Sequence, residues 1–503
     1  MILVEVSKDR FKYDIHSLVK AFYPAEDVLV LTKEEIEAKK ENGSLEKEIF
    51  KIDMIFDDEN KNVEMIILEN GEKLQEGKAQ FTEDNDLSDN STNGTKASKS
   101  TPKNALKQLM YSQLSQKVGH ELPWGALTGI RPTRIPMQML YEGKNSDEIR
   151  EYMKDTFFVS DEKIDLSLGI AKREKAILDS IDHEDGYSIY IGIPFCPTTC
   201  LYCSFTSFPI VTWAKRVGDY LTCLEKEIDF VAEAFGNKKV NSVYIGGGTP
   251  TTLEPDQIRR LIGYLGNKID ISNISEFTVE SGRPDSITRD KLRAMKECGV
   301  SRISVNPQTM SDETLKRIGR QHSVAQFVDA YNMAREEGFD NINMDIILGL
   351  PGEELSDVEH TMREIEKLRP NDLTVHSLSV KRGSRLAEHI RNEGYFLESD
   401  TGRMMEIAAA GARSMGLMPY YMYRQKNISG NLENTGYAEE GKAGIYNILM
   451  MEEVQSIVAL GAGTVSKRVY GDGRIERCDN VKDVTLYMND ISQMIERKRK
   501  MYL

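Results

Sequence analysis

Three cysteines, Cys196, Cys200 and Cys203, crowd into "PFCPTTCLYC", and the rest of the 503-residue chain holds only three more. An odd, tightly spaced set is no disulfide framework; in a reducing compartment it points to metal or redox chemistry. Thiolates spaced Cys-x3-Cys-x2-Cys on one short loop can wrap three irons of a [4Fe–4S] cube and leave the fourth iron open, whereas a fourth protein ligand would make a closed electron carrier. Tetrahedral zinc is the other chemistry such thiolates offer. It wants four ligands, and neither a second cysteine pair at finger spacing nor a nearby histidine is present.

Other polar residues stand at the ends of apolar runs. "YIGGGTPT" places Gly247, Gly248 and Thr249 after one such run, and glycines let backbone amides approach a ligand closely. The stretch lacks the Lys-Ser/Thr of a phosphate loop, so a tight turn is the plain alternative. Glu280 closes "FTVE", where a carboxylate can accept hydrogen bonds from a cationic or hydroxylated ligand. Gln308 follows another run and Arg320 stands twelve residues later, its guanidinium fork suited to a carboxylate. Asp345 is the single acid in the most apolar run of the chain, "NINMDIILGL", and a buried acid there needs partners. Tyr190 lies within the first run.

These runs need a frame. Candidate strands at 188–193, 242–246, 276–280, 302–306, 343–348 and 373–378 alternate with amphipathic segments such as "DYLTCLEKEIDFVAEAF", "PDQIRRLIGYLGNKI" and "SVAQFVDAYNMAREEG". Repeated βα units predict a parallel sheet with helices outside, here an open, partial (β/α)6 barrel over 186–390. The cysteine loop directly follows the first strand, on the face where barrels build their sites. Residues 1–82 carry short β-type runs and predict a small α+β domain. The polar stretch 83–104 reads as a mobile linker, and 105–185 as a helical segment with Ser146 and Ser160 as N-caps. Residues 391–503 open with "GRMMEIAAAGARSMG" and continue less regularly, as a C-terminal lid domain over the barrel mouth.

A net charge of −15 excludes a general nucleic-acid surface but not one locally basic cleft. The sequence has no transmembrane run, and the start "MILVEVSKDRF" lacks a secretory leader, so a cytoplasmic protein is expected. The nearest expectation for Cys223 and Cys298, which fall in helical apolar patterns, is buried packing.

The cysteine loop with Tyr202 before its last cysteine resembles the signature of radical S-adenosylmethionine (SAM) enzymes. Together with "GGGTP", Gln308 and Arg320, it is similar to the oxygen-independent coproporphyrinogen III oxidase and haem-chaperone family. Over roughly 185–480, "YMYRQKNISGN" included, it is most similar to the coproporphyrinogen dehydrogenase subgroup. The resemblance implies a [4Fe–4S] cluster on Cys196, Cys200 and Cys203, which are also the catalytic residues. Its open iron would hold the methionine part of SAM, and an electron from the cluster would cleave SAM to a 5′-deoxyadenosyl radical. It further implies that Gly247, Gly248 and Thr249 hold the SAM amino group, Arg320 its carboxylate and Asp345 its ribose. Tyr190, Tyr202, Glu280, Gln308 and Ser379 are implied as further contacts.

The family's founding reaction turns coproporphyrinogen III propionates into vinyl groups, giving protoporphyrinogen IX. Because that substrate carries four carboxylates, Lys381, Arg382 and Arg385 after strand six, and Tyr421, Tyr423, Arg424 and Lys426 further on, are candidate substrate contacts. Arg131 and Arg134 are candidates from the N-terminal extension. The expected partners are a tetrapyrrole or haem and an electron donor such as flavodoxin or ferredoxin. The family's best-understood oxidases have a further cysteine after the third; Ser204-Phe205 stands here, as its absence does in haem chaperones. Three functions follow: decarboxylating oxidation of coproporphyrinogen III, haem delivery, or radical chemistry on another tetrapyrrole.

Overall fold

The computed structural model describes residues 1–45, 47–82, 101–129, 131–380, 384–388, 400–425 and 432–503. It divides into two compact units, Met1–Ala171 and Lys172–Leu503.

The N-terminal unit is built on a five-stranded sheet: β1 (Ile2–Val6), β2 (Val28–Thr32), β3 (Phe50–Asp57), β4 (Asn62–Glu69) and β5 (Glu72–Gln80), in the order β2-β1-β3-β4-β5. β1 pairs in parallel with β2 and β3, and the last three strands form antiparallel hairpins. The apolar faces of β1, β3 and β4 pack against α1 (Lys12–Phe22) and α3 (Pro102–Val118). A short α2 (Lys33–Glu41) follows β2. Helix α3 starts inside the stretch expected as a linker, because the Thr101 hydroxyl accepts from the Asn104 amide and Pro102 occupies the first turn. The rest of that expected linker, 83–100, lies outside the described residues.

Helices α4 (Arg134–Tyr141) and α5 (Ser146–Phe157) belong to this unit, and α6 (Asp161–Asp179) crosses into the next. Ser160 caps α6 as expected, its hydroxyl accepting from the Lys163 amide. The cap of α5 is Asn145, not Ser146: Asn145 accepts from the Asp147 and Glu148 amides, and Glu148 closes a capping box.

The second unit holds an eleven-stranded sheet. Its centre is six parallel strands: β6 (Tyr187–Ile193), β9 (Val240–Gly247), β10 (Glu276–Glu280), β11 (Arg302–Ser304), β12 (Ile342–Leu348) and β13 (Asp372–Ser377). Helices α8 (Val217–Phe235), α9 (Pro255–Lys268), α10 (Arg289–Glu297), α12 (Val324–Glu336) and α13 (Leu355–Leu368) follow successive strands, with a short α11 (Asp312–Arg317) between β11 and α12. In β12 every residue but Asp345 is buried. Strands covered on both faces lose the alternation of half-exposed strands, which is why these read as continuous apolar runs.

The chain beyond 400 lines the barrel's cavity, as described below, and also extends the sheet at both edges. After α14 (Thr401–Ser414), β15 (Asn434–Ala438) pairs antiparallel with β13, and β14 (Met418–Tyr423) pairs antiparallel with β15 at the sheet edge. Past α15 (Ile445–Glu452), β16 (Ser456–Leu460) lies parallel to β6. It carries β17 (Val465–Val469) and β18 (Ile475–Asp479) as a meander, before α16 (Val484–Asn489) and α17 (Ile491–Tyr502) close the chain. Among the described residues no helix is long and apolar enough to cross a membrane.

Candidate active site

The six parallel strands end at one face, and a cavity of about 920 Å³ opens there. The cysteine loop leaves β6 and is pinned at both ends. Its first residues form β7 (Phe195–Cys196), which pairs with β8 (Phe208–Pro209), leading into the four-residue α7 (Ile210–Trp213). The Leu201 amide donates to the Ile318 carbonyl at 2.9 Å. Cys196, Cys200 and Cys203 all border the cavity, and none of the three is in a disulfide. Thr249 Oγ1 donates to Cys196 Sγ at 3.4 Å and Arg283 Nη1 to Cys200 Sγ at 3.6 Å. Burial pushes the Cys196 thiol up, the Thr249 hydrogen bond opposes this, and the neighbouring cysteines add to it. Among the described residues no three His, Cys, Asp or Glu side chains are gathered as a closed metal cage. The donor set is nonetheless three soft sulfurs and no carboxylate on one loop facing one cavity, which fits an iron–sulfur cluster.

The glycine loop lies against the cysteine loop. The Gly248 amide donates to Ile193 O at 2.8 Å and the Thr249 amide to Phe195 O at 2.7 Å. A Cβ on Gly248 would meet Phe195 O at 2.7 Å and force the two loops apart, and Gly247 has φ +104°, a backbone that strains any side chain.

Glu280 accepts from Tyr244 Oη at 2.6 Å and from the Gly247 amide at 3.2 Å. Its carboxyl is pushed up to about 7: burial raises it, the Tyr244 hydrogen bond lowers it, and the charge of Asp345 raises it again. Tyr190, Tyr244 and Tyr446 stack beside it, with Tyr244 and Tyr446 centroids 4.5 Å apart.

Asp345 is held by Asn306 Nδ2 and Asn343 Nδ2, each at 2.7 Å. These two bonds do not exhaust the acceptor sites of a carboxylate, which has about four, while the Asp345 backbone amide donates to Asn306 Oδ1 at 3.2 Å. His376 Nε2 lies 3.9 Å from Asp345 Oδ1, and Tyr423 Oη lies 3.5 Å from His376 Nδ1. Arg320 donates to Gly282 O at 2.9 Å, Asn306 O at 3.3 Å and Tyr202 Oη at 3.1 Å. Gln308 has φ +66°, a strained backbone for a non-glycine residue. Arg320 Nε, Gln308 Oε1 and Ser304 Oγ are buried without a hydrogen-bond partner, and all three residues line the cavity. Buried polar atoms left open in this way fit a polar ligand such as an amino acid head group.

Of the sequence-derived candidates, Tyr190, Tyr202, Gly247, Gly248, Thr249, Glu280, Gln308, Arg320, Asp345 and Ser379 border this one cavity with the cysteines, as do Tyr421 and Tyr423. Of the proposed substrate cations, those among the described residues do not. Arg424 is buried and absent from the lining, where Tyr421, Tyr423 and Gln425 alternate around it; strand alternation turns Arg424 to the other face. Arg385 is exposed and also absent from the lining. Arg131 and Arg134 lie in the N-terminal unit, while Lys381, Arg382 and Lys426 lie outside the described residues.

Sequence reasoning passed over Arg283, which grips the cysteine loop through Thr198 as well as Cys200 and is braced by Asp285 at 2.7 Å. Its position three residues past Glu280 was the available signal. Cys223 is buried and Cys298 half-buried, in keeping with a packing role.

A model of the Radical SAM superfamily matches residues 190–365. HemZ of Bacillus subtilis (strain 168), an oxygen-independent coproporphyrinogen-III oxidase-like protein, is 41% identical over 403 residues, 79% of this chain and 80% of that one. The heme chaperone HemW of the same strain is 37% identical over 195 residues, 39% of this chain and 51% of its own. Among solved structures, coproporphyrinogen III oxidase (HemN) from Escherichia coli superposes with a TM-score of 0.51 at 22% identity, covering 64% of this chain and 73% of that one. At that identity the superposition speaks for the fold alone.

Proposed function

This chain belongs to the radical SAM family of oxygen-independent coproporphyrinogen III oxidases and haem chaperones, which uses a [4Fe–4S] cluster and SAM, and we propose that it oxidatively decarboxylates coproporphyrinogen III. In this reading each of two propionates loses a hydrogen atom from its β-carbon, one CO2 and one electron, leaving a vinyl group. The hydrogen goes to the deoxyadenosyl radical and the electron to an acceptor that must be supplied. The product is protoporphyrinogen IX.

The observation that carries the reading is one cavity at the upper end of the usual ligand-pocket range, bordered at once by the cysteine loop, the glycine loop and the polar strand ends. When bound, the cluster on Cys196, Cys200 and Cys203 supplies the electron that cleaves SAM to methionine and a 5′-deoxyadenosyl radical. The protein's own part is to hold and to exclude. Gly247 and Gly248 let the backbone approach the SAM amino group, with Thr249 beside them. Arg320 Nε and Gln308 Oε1 supply the open donor and acceptor for its polar head. Asp345, kept in place by Asn306 and Asn343, takes the ribose hydroxyls. Tyr190, stacked on Tyr244 and Tyr446, forms a wall that keeps water from the radical's position.

Similarity to HemW favours a second reading, haem delivery from the same site. Anaerobic incubation of reconstituted protein with SAM, reductant, an electron acceptor and coproporphyrinogen III, with mass analysis of the tetrapyrroles, separates the two. Stepwise loss of two carboxyl groups is expected. A haem Soret band with unaltered tetrapyrrole would instead select delivery.

A further inference from the structure

One wall of the cavity is basic. On β17 and β18, Lys467 and Arg477 are directly opposed in the antiparallel register, and both line the cavity. Glu453, the left-handed C-cap of α15, pairs with both, at 3.0 Å from Lys467 and 2.6 Å from Arg477. Lys467 is further oriented by its hydrogen bond to Met450 O at 3.2 Å. A third cation, Lys482, lines the cavity, is exposed and forms no ion pair with any described residue. Lys467, Arg477 and Lys482 thus line this part of the cavity, Glu453 pairing with the first two, in a chain whose net charge is −15.

Apolar side chains border the same cavity. Val465 is 48% exposed and Phe205 69% exposed, yet both border the cavity, together with Ile457 and Met450. Large apolar groups left open beside paired cations suit a ligand that is apolar across its face and anionic at its rim. Lys467 stands well away from the cysteines, whereas Lys482 sits beside Gly463, close to Thr206 of the cysteine loop. Lys467 pairs with Ile457, which stands opposite Ser188 of β6. The cysteine loop leaves that strand after Ile193, five residues on, or roughly 16 Å along it.

We infer that Lys467, Arg477 and Lys482 form a carboxylate-binding wall that holds a tetrapyrrole by its peripheral carboxylates. Glu453 keeps the first two cations extended and oriented while the site is empty, and a ligand carboxylate would join or displace it. The inference rests on the tetrapyrrole reading, and deepens it by naming where the substrate's charge is read.

Porphyrin fluorescence titrations of the full-length protein test it, with coproporphyrin III, which has four carboxylates, and mesoporphyrin IX, which has two. The variants are the triple Lys467→Gln/Arg477→Gln/Glu453→Gln, which leaves no orphaned acid, and Lys482→Gln, an exposed change that spares the fold. Coproporphyrin affinity should fall about tenfold or more in the triple variant and a few-fold in Lys482→Gln, the scale of lost charge-assisted hydrogen bonds. Mesoporphyrin affinity should fall less in both, and SAM affinity should not change. Equal weakening of the two porphyrins, or no weakening in either variant, would overturn the wall; should the triple variant fail to fold, Lys482→Gln decides alone. Graded loss in the variants, with no vinyl product from the wild-type protein, would contradict decarboxylation and leave the wall standing. Vinyl product without graded loss would do the reverse.

Discussion

Replacing Cys196, Cys200 and Cys203 together with Ala should abolish bound iron and sulfide while leaving the far-ultraviolet circular dichroism unchanged, because the loop borders the cavity and not the core. Stoichiometric iron in the triple variant would contradict the assignment. Glu280 offers a second check. Burial favours its protonated form, so its contribution to stability is complete below its ordinary 4.5 and is lost as pH rises through about 7. Binding runs the other way: the ionised form is the better partner for the cationic sulfonium and the ribose hydroxyls. SAM affinity, measured by anaerobic calorimetry, should therefore rise as pH increases through about 7, and Glu280→Gln should flatten that rise. At this scale the sequence was legible where chemistry forces residue type: three thiols, a glycine loop, and an acid inside an apolar strand. It misled for Arg424 and Arg385, since charge alone does not say on which face of a strand, or how far from a cavity, a side chain falls.

The barrel's second edge depends on one buried cluster between helices. Glu227 of α8 and Lys498 of α17 are both fully buried and paired, and Glu227 also accepts from Tyr487 Oη at 2.5 Å, from the Gly461 amide at 2.7 Å and from Asn480 Nδ2 at 3.0 Å. Gly461 leads directly into Ala462, Gly463 and Thr464 of the cavity wall. Lys498→Met should cost about 3–5 kcal/mol by leaving the Glu227 charge uncompensated, and adding Glu227→Gln should recover part of it. Urea denaturation of the single and double variants measures both; an equal loss in the two would mean that packing, and not charge, sets the cost. All six central strands were readable to within two residues, because two-sided burial writes them as apolar runs. β5 ("EKLQEGKAQ") and β18 ("IERCD") were not, since edge strands with exposed faces carry no such pattern. The C-terminal segment read as irregular for the same reason: its strands are five or six residues long, and β16 finds its partner, β6, more than 260 residues earlier.

At the scale of the molecule, one compact unit, Lys172–Leu503, contains every described residue that lines the cavity. The cysteine loop, the glycine loop and the polar strand ends meet because parallel strands bring their C-terminal ends to one face, however far apart they lie in sequence. The proposal makes a strict demand on that arrangement. Hydrogen transfer requires the substrate's propionate β-carbon within roughly 3–3.5 Å of the SAM 5′-carbon, and solvent must not compete. The most direct measurement is to supply coproporphyrinogen III deuterated at the propionate β-carbons, with SAM, reductant and an electron acceptor, and to analyse the 5′-deoxyadenosine formed. The account predicts deuterium in that product together with loss of CO2 from the tetrapyrrole; unlabelled 5′-deoxyadenosine with intact substrate would contradict it.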